Sequence, residues 1–258
     1  MTDVRLNINK PVVPAFLLHI IGYVIIYSVL EIVAGFGDPL NPVFALIIAL
    51  SVVATSAVVE VGLLKSRMSE VFSILGFGIP SGSSVIFAVI IALLLFLCFP
   101  LITSVTGYEF MLPANWVRLA LGVFVLHGIA EEVLYRGYLF NHLRQGRSFA
   151  KAVWLSVLFF TLAHIPIMIT QGIFVGGTAV LLAAVSSFPL SRLYERGNNT
   201  IWAPAIVHFA IDMVIPIVAA GEMTESAQKA VMIWMGACMV IPYIAFLIPR
   251  SKAQRSIR

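Results

Sequence analysis

Residues 85–105 read VIFAVIIALLLFLCFPLITSV, 21 consecutive positions without a charged residue or a histidine. A helix rises about 1.5 Å per residue and needs about 20 apolar residues to cross the hydrocarbon of a bilayer, so this stretch is read as one span. Comparable runs lie on both sides of it. Upstream they cover about 13–35, closed by Gly35, Gly37, Asp38 and Pro39, and about 42–64, ending at Lys65 and Arg67. Downstream they cover about 116–143, 149–168, 174–193, 201–220 and 227–248. Between the second and third runs, Met68, Val71, Phe72 and Leu75 recur at helical spacing in a stretch rich in charge, Gly and Pro, which predicts a short interfacial helix. The composition of the whole chain agrees. Of 258 residues 60% are apolar and 11% charged, with mean hydropathy +1.03, whereas a soluble domain carries roughly a quarter charged residues. The reading is an all-α polytopic membrane helix bundle of about eight transmembrane helices, one integral-membrane domain over 1–258.

The basic residues test the span count, because only a correct set of spans sorts them onto alternate sides. Arg5, Lys10, Lys65, Arg67, Arg144, Arg147, Lys151, Arg192, Arg196, Arg250, Lys252, Arg255 and Arg258 fall on one side. Arg118 and Lys229 fall on the other, and Arg136 is assigned to the membrane. Both termini are therefore placed in the cytoplasm, and the chain in the inner (cytoplasmic) membrane as a multi-pass protein. Trp116, Trp154 and Trp202 stand near proposed span ends, as interfacial anchors do. The first span is read as retained, since it is too long for a signal-peptide core and lacks a small-x-small cleavage site. A secreted disulfide scaffold and a disordered chain are excluded by composition. The net charge of +4 belongs to the cytoplasmic leaflet, so no nucleic-acid partner is expected. Cys98 and Cys238 lie inside apolar runs without metal-ligand spacing and read as packing residues.

A charged side chain at the bilayer centre costs at least about 2.5 kcal/mol, which makes each intramembrane acid a functional candidate. Five acids qualify: Glu31, Glu60, Glu131, Glu132 and Asp212. Glu31 and Glu60 lie within a turn or two of span ends and are read as snorkelling to the headgroups. The stretch His127-Gly128-Ile129-Ala130-Glu131-Glu132-Val133-Leu134-Tyr135-Arg136-Gly137 differs. Glu132 and Arg136, spaced i, i+4 with the acid first, share a helix face and can pair. Glu131, about 100° further round, is less able to use that guanidinium and is a candidate general base. His164 follows an apolar run and precedes Pro166, while His208 and Asp212 share one face of the seventh run. With tilt, Glu131, His164 and His208 converge at similar depth. His127, one turn before Glu131, either extends the site or hydrogen-bonds a neighbouring helix, and the second reading is favoured. His142, beside Arg144 and Arg147, is read as a solvated headgroup contact.

Glu131-Glu132-x-x-x-Arg136, Phe160-x-x-x-His164 and His208-x-x-x-Asp212, in that order on successive spans, resemble the CPBP family of intramembrane proteases. This family is also called the CAAX-protease and bacteriocin-processing, or Abi, family and includes the type II CAAX prenyl endopeptidases. The resemblance covers about 116–220, taken as the catalytic core. It implies hydrolysis of a peptide bond by activated water in a membrane-embedded cavity, on a peptide or membrane-protein substrate. Carried over, Glu131 looks like the base, His164 its partner or a metal ligand, and His208 with Asp212 the opposing pair. Glu132 and Arg136 look like the structural pair, and Phe160 like packing.

The family's last position takes Asn or Asp. An ionised Asp212 has acceptors only, which leaves it as a metal ligand, a neutral acid, or the group that orients His208. Zinc suits two imidazoles and one or two carboxylates, so Glu131, His164, His208 and Asp212 form a candidate ligand set. Metal-free glutamate–histidine catalysis is the alternative. Two rivals to proteolysis stand beside these: a non-proteolytic membrane scaffold or bacteriocin-immunity type protein, and a proton-coupled transporter, for which the repeated halves such proteins usually show are not seen. Neither substrate prenylation nor a prenyl-binding groove is legible in the residues.

Overall fold

A computed structural model describes residues 15–215 and 224–249, without the side chain of Gln171. The expected cytoplasmic termini, with Arg5, Lys10, Arg250, Lys252, Arg255 and Arg258, lie outside the described residues, as do residues 216–220 of the expected seventh span. Helices α1 (Ala15–Ala34), α2 (Pro42–Leu63) and α3 (Gly82–Thr106) follow in order. Next comes α4, a continuous helical run over 116–144, then α5 (Phe149–Thr170), α6 (Gly172–Arg196), α7 (Trp202–Asp212) and α8 (Glu225–Leu247). No strand occurs among the described residues.

Helices α1, α2, α3, α5, α6 and α8 are long and apolar enough to cross a membrane. The expected fourth and seventh spans are helical but built otherwise. In α4, Trp116–Val123 and Asn141–Arg144 are ordinary α-helix, while Phe124–Glu131 and Val133–Phe140, on either side of Glu132, are π-helix. Helix α7 has eleven residues. These two elements carry the acidic first and last motifs, so the helices least suited to lipid hold the charges.

The ends of the helices are set by local chemistry. Asn41, Ser81, Ser148 and Thr224 each accept a hydrogen bond from a backbone N–H of the first turn that would otherwise lack a partner. The predicted interfacial helix is reduced to the turns Met68–Glu70 and Val71–Ile74. Val71 and Leu75 are buried there, while Met68 and Phe72 face outward. Helices α5 and α6 join at Gly172, whose φ of 85° and ψ of 165° belong to a region essentially restricted to glycine. The chain folds back so tightly that a Cβ on Gly176 would lie 2.0 Å from Met168 Cα. Gly172→Ala should therefore destabilise the hairpin by about 1–3 kcal/mol, read as a lower Tm of the detergent-solubilised protein. An unchanged Tm would mean that the turn relaxes freely.

One end of the bundle gathers the loops rich in basic residues. Asn141 donates to the Ile74 carbonyl at 3.1 Å, Trp202 Nε1 to Gly78 at 3.0 Å, Ser81 to Arg196 at 2.9 Å, and Arg144 Nε to Glu195 at 2.8 Å. The apolar interior divides in two. One core joins α1, α2, α4 and α5 around Ile26, Ile48, Val133 and Leu134; the other joins α3, α7 and α8 with α6 around Leu95, Val207 and Trp234. Helices α4 and α7 pack against each other, so their shared face is the seam between the two cores.

Candidate active site

Along the seam, α4 presents His127, Glu131 and Glu132, and α7 presents His208 and Asp212. His127 Nδ1 lies 2.7 Å from Glu131 Oε1 and 3.4 Å from Asp212 Oδ2. His208 Nε2 lies 3.2 Å from the same Asp212 oxygen and 3.9 Å from Glu131 Oε2. Four side chains thus meet around one small volume, each less than a fifth exposed. Behind them, His208 Nδ1 donates to Glu132 Oε1 at 2.7 Å, and Arg136 Nη1 donates to that oxygen at 2.6 Å. Glu132 is fully buried and Arg136 nearly so.

His164, on α5, stands to one side. Its Nδ1 donates to the Phe160 carbonyl at 2.8 Å, which leaves Nε2 for another partner. The buried Phe160 ring is edge-on to both His164 and His208, with centroids 4.8 and 6.1 Å apart, and the Arg136 guanidinium lies 4.9 Å from its centroid. Phe160 thereby links the three motifs. That contact supplies cation–π attraction to a guanidinium with little water around it.

Three features differ from the expectations above. The partner that reaches Glu131 is His127, one turn earlier, where the resemblance implied His164. His127 joins two acids of the site and not merely a neighbouring helix, and the i, i+4 spacing of His127 and Glu131 was the signal for it. Glu132 does more than pair with Arg136, since the same oxygen fixes His208.

A second polar cluster lies at the basic end of the bundle. Glu60 is fully buried, accepting from His142 Nε2 at 2.6 Å and from the Ser66 hydroxyl at 2.7 Å. His142 is buried and stacks on His19 with ring centroids 4.3 Å apart. The snorkelling read for Glu60 and the headgroup contact read for His142 are therefore both corrected. Protein, not lipid, lies beside them, because the last turn of α2 packs against α4. His142→Ala would strip a buried carboxylate of its main partner and should destabilise by about 1–3 kcal/mol, seen as a lower Tm with unchanged turnover. A loss of turnover at unchanged Tm would show that this cluster belongs to the chemistry.

The fold and site define an all-helical, multi-pass membrane protein with a buried Glu/His/Asp centre. Residues 113–214 match the family model described as type II CAAX prenyl endopeptidase Rce1-like. The matched segment contains all three motifs: Glu131-Glu132-x-x-x-Arg136, Phe160-x-x-x-His164 and His208-x-x-x-Asp212. No curated protein and no solved structure matches the chain.

Proposed function

We propose that the protein is an intramembrane endopeptidase in which Glu131 activates water. The observation that carries this is the Glu131 carboxylate, held from one side by His127 and facing His208 Nε2 from the other, at the meeting point of the first and last motifs. The match over residues 113–214 to an endopeptidase family supports it.

The chemistry follows from the groups present. Water gives a proton to Glu131 as its oxygen bonds to the scissile carbonyl carbon. Negative charge then develops on the carbonyl oxygen, which the Nε2–H of a doubly protonated His164, its Nδ1–H held by the Phe160 carbonyl, would stabilise. When the C–N bond breaks, its electron pair stays on nitrogen, which takes the proton back from Glu131. Asp212 and Glu132 hold His208 through its two ring nitrogens. A zinc-class cation, when bound, would polarise the carbonyl and lower the pKa of water, and the convergence of imidazole and carboxylate donors fits such an ion.

Eight spans with both termini in the cytoplasm remain the topology that best explains the charge sorting, with α4 and α7 as the two polar spans. An apolar cavity of about 490 Å³, lined by Phe96, Phe99, Phe110, Trp116, Phe209 and Met213, adjoins α7. Phe209 and Met213 directly follow His208 and Asp212, which suits an apolar stretch of a membrane-protein substrate.

The test is hydrolysis of apolar fluorogenic peptides by purified protein in liposomes. His164→Ala and His208→Ala should each lose at least about a hundredfold in turnover with unchanged yield of monodisperse protein. Full activity in either variant overturns the assignment. A cellular phenotype indifferent to both substitutions would instead favour a non-proteolytic scaffold.

A further inference from the structure

Helix α7 carries two stripes side by side. His208 and Asp212, four residues apart, turn toward α4 on the seam. Phe209 and Met213, also four apart, follow each of them by one residue and so stand about 100° further round. That second stripe fronts a gap. Helices α3 and α4 both pack against α7 yet hardly touch each other, and two apolar cavities lie along the space between them. One has a volume of about 490 Å³ and the other about 360 Å³, and Trp116, Ala120 and Phe209 line both. The Phe209 ring stands where they adjoin. Its centroid lies 6.2 Å from that of Phe96 on α3 and 5.7 Å from that of Phe124 on α4, edge-on to each, so it bridges the gap. We propose that Phe209 is a specificity-determining residue, dividing one apolar substrate groove into two pockets and limiting the bulk of the side chain that can lie beside His208 and Asp212. This deepens the proteolytic reading and rests on it for the substrate.

The chemistry of the groove selects its occupant. Every side chain lining the two cavities is apolar or aromatic. A charged substrate residue there would lose its water without gaining a partner, whereas an apolar one gains by burial. Placement selects the register, since a peptide lying along Phe209 and Met213 has its backbone next to the stripe of His208 and Asp212. On the α4 side the wall shared by both pockets is Ala120, whose small side chain leaves the room that Phe209 limits. Phe209 is only partly buried and belongs to neither apolar core, so its truncation spares the packing around Leu95, Val207 and Trp234.

The experiment uses the full chain in liposomes. Wild-type products first locate the cleaved bond, and peptides then vary each residue flanking it in turn, leucine against the bulkier naphthylalanine. Both peptides of a pair are assayed on one preparation, so the ratio of their kcat/KM values does not depend on how much protein is folded. At one flanking position Phe209→Ala should shift that ratio toward naphthylalanine by at least about tenfold, the lower end of what one methylene is worth in an apolar pocket. Ala120→Leu, which narrows the same groove from α4, should shift it the other way. A ratio unmoved in monodisperse Phe209→Ala overturns the assignment and leaves Phe209 as packing between α3 and α4. Binding is read apart from cleavage on Glu131→Gln, as quenching of Trp116 fluorescence by an apolar peptide carrying bromophenylalanine, with Trp116→Phe on that background as the blank. Saturable quenching of Trp116 while wild type cuts no peptide keeps the groove and sinks the protease reading. Cleavage by wild type without quenching of Trp116 does the reverse.

Discussion

Glu131→Gln should lower peptide hydrolysis by about 10²–10⁴-fold, the usual range for loss of a general base, while leaving the fold intact. The amide has almost the volume of the carboxylate, and its oxygen can still accept from His127, 2.7 Å away in the wild type. It cannot take a proton from water. A merely structural Glu131 would show the opposite pattern, with altered thermal stability and little change in turnover per folded molecule. The measurement is therefore turnover normalised to monodisperse protein, with a melting curve beside it. Near-wild-type turnover would remove Glu131 from the mechanism.

The second large effect falls on Arg136. Its guanidinium is buried, donates to Glu132 and lies over Phe160. Arg136→Met would leave Glu132 with His208 alone and should destabilise by about 3–5 kcal/mol, the range for removing one member of a buried ion pair. The readout is a sharp fall in yield and in Tm. Removing both charges, as Glu132→Leu with Arg136→Met, should recover much of that stability, because buried pairs replaced by apolar residues of similar volume are often no less stable. Activity should not return with it, since His208 Nδ1 has then lost its carboxylate. If the double variant regains both stability and activity, the pair is structural only and Glu132 has no part in orienting His208.

How far the sequence reaches depends on the kind of question. Apolar length is a one-dimensional property, so the runs at 13–35, 42–64, 85–105, 149–168, 174–193 and 227–248 correspond closely to α1, α2, α3, α5, α6 and α8. Position along a single helix is also one-dimensional, which is why the Glu132–Arg136 spacing can be read before any fold is known. What lies beside a residue is not. Glu60 and His142 each stand near a span end, where depth alone points to headgroups, yet they are 82 positions apart and bury each other. The joint of Glu132 and His208 across 76 positions is hidden in the same way. His127 falls between these cases. Its register with Glu131 is visible along α4, while its approach to Asp212 depends on how α4 and α7 pack.

The π-helical turns of α4 have a consequence for how this chain can vary. Each π turn closes i→i+5 bonds and holds one residue more than the α turn it replaces. Across Phe124–Glu131 and Val133–Phe140 that surplus sets the direction in which Glu131 and Glu132 leave the helix. Losing a single residue from 128–130 would shorten the His127–Glu131 separation from four residues to three and change the rotation and rise between the two side chains that now meet. Substitutions there alter one side chain; a deletion turns the helix against its own site. Homologous chains should accordingly tolerate replacement in this segment and resist changes in its length.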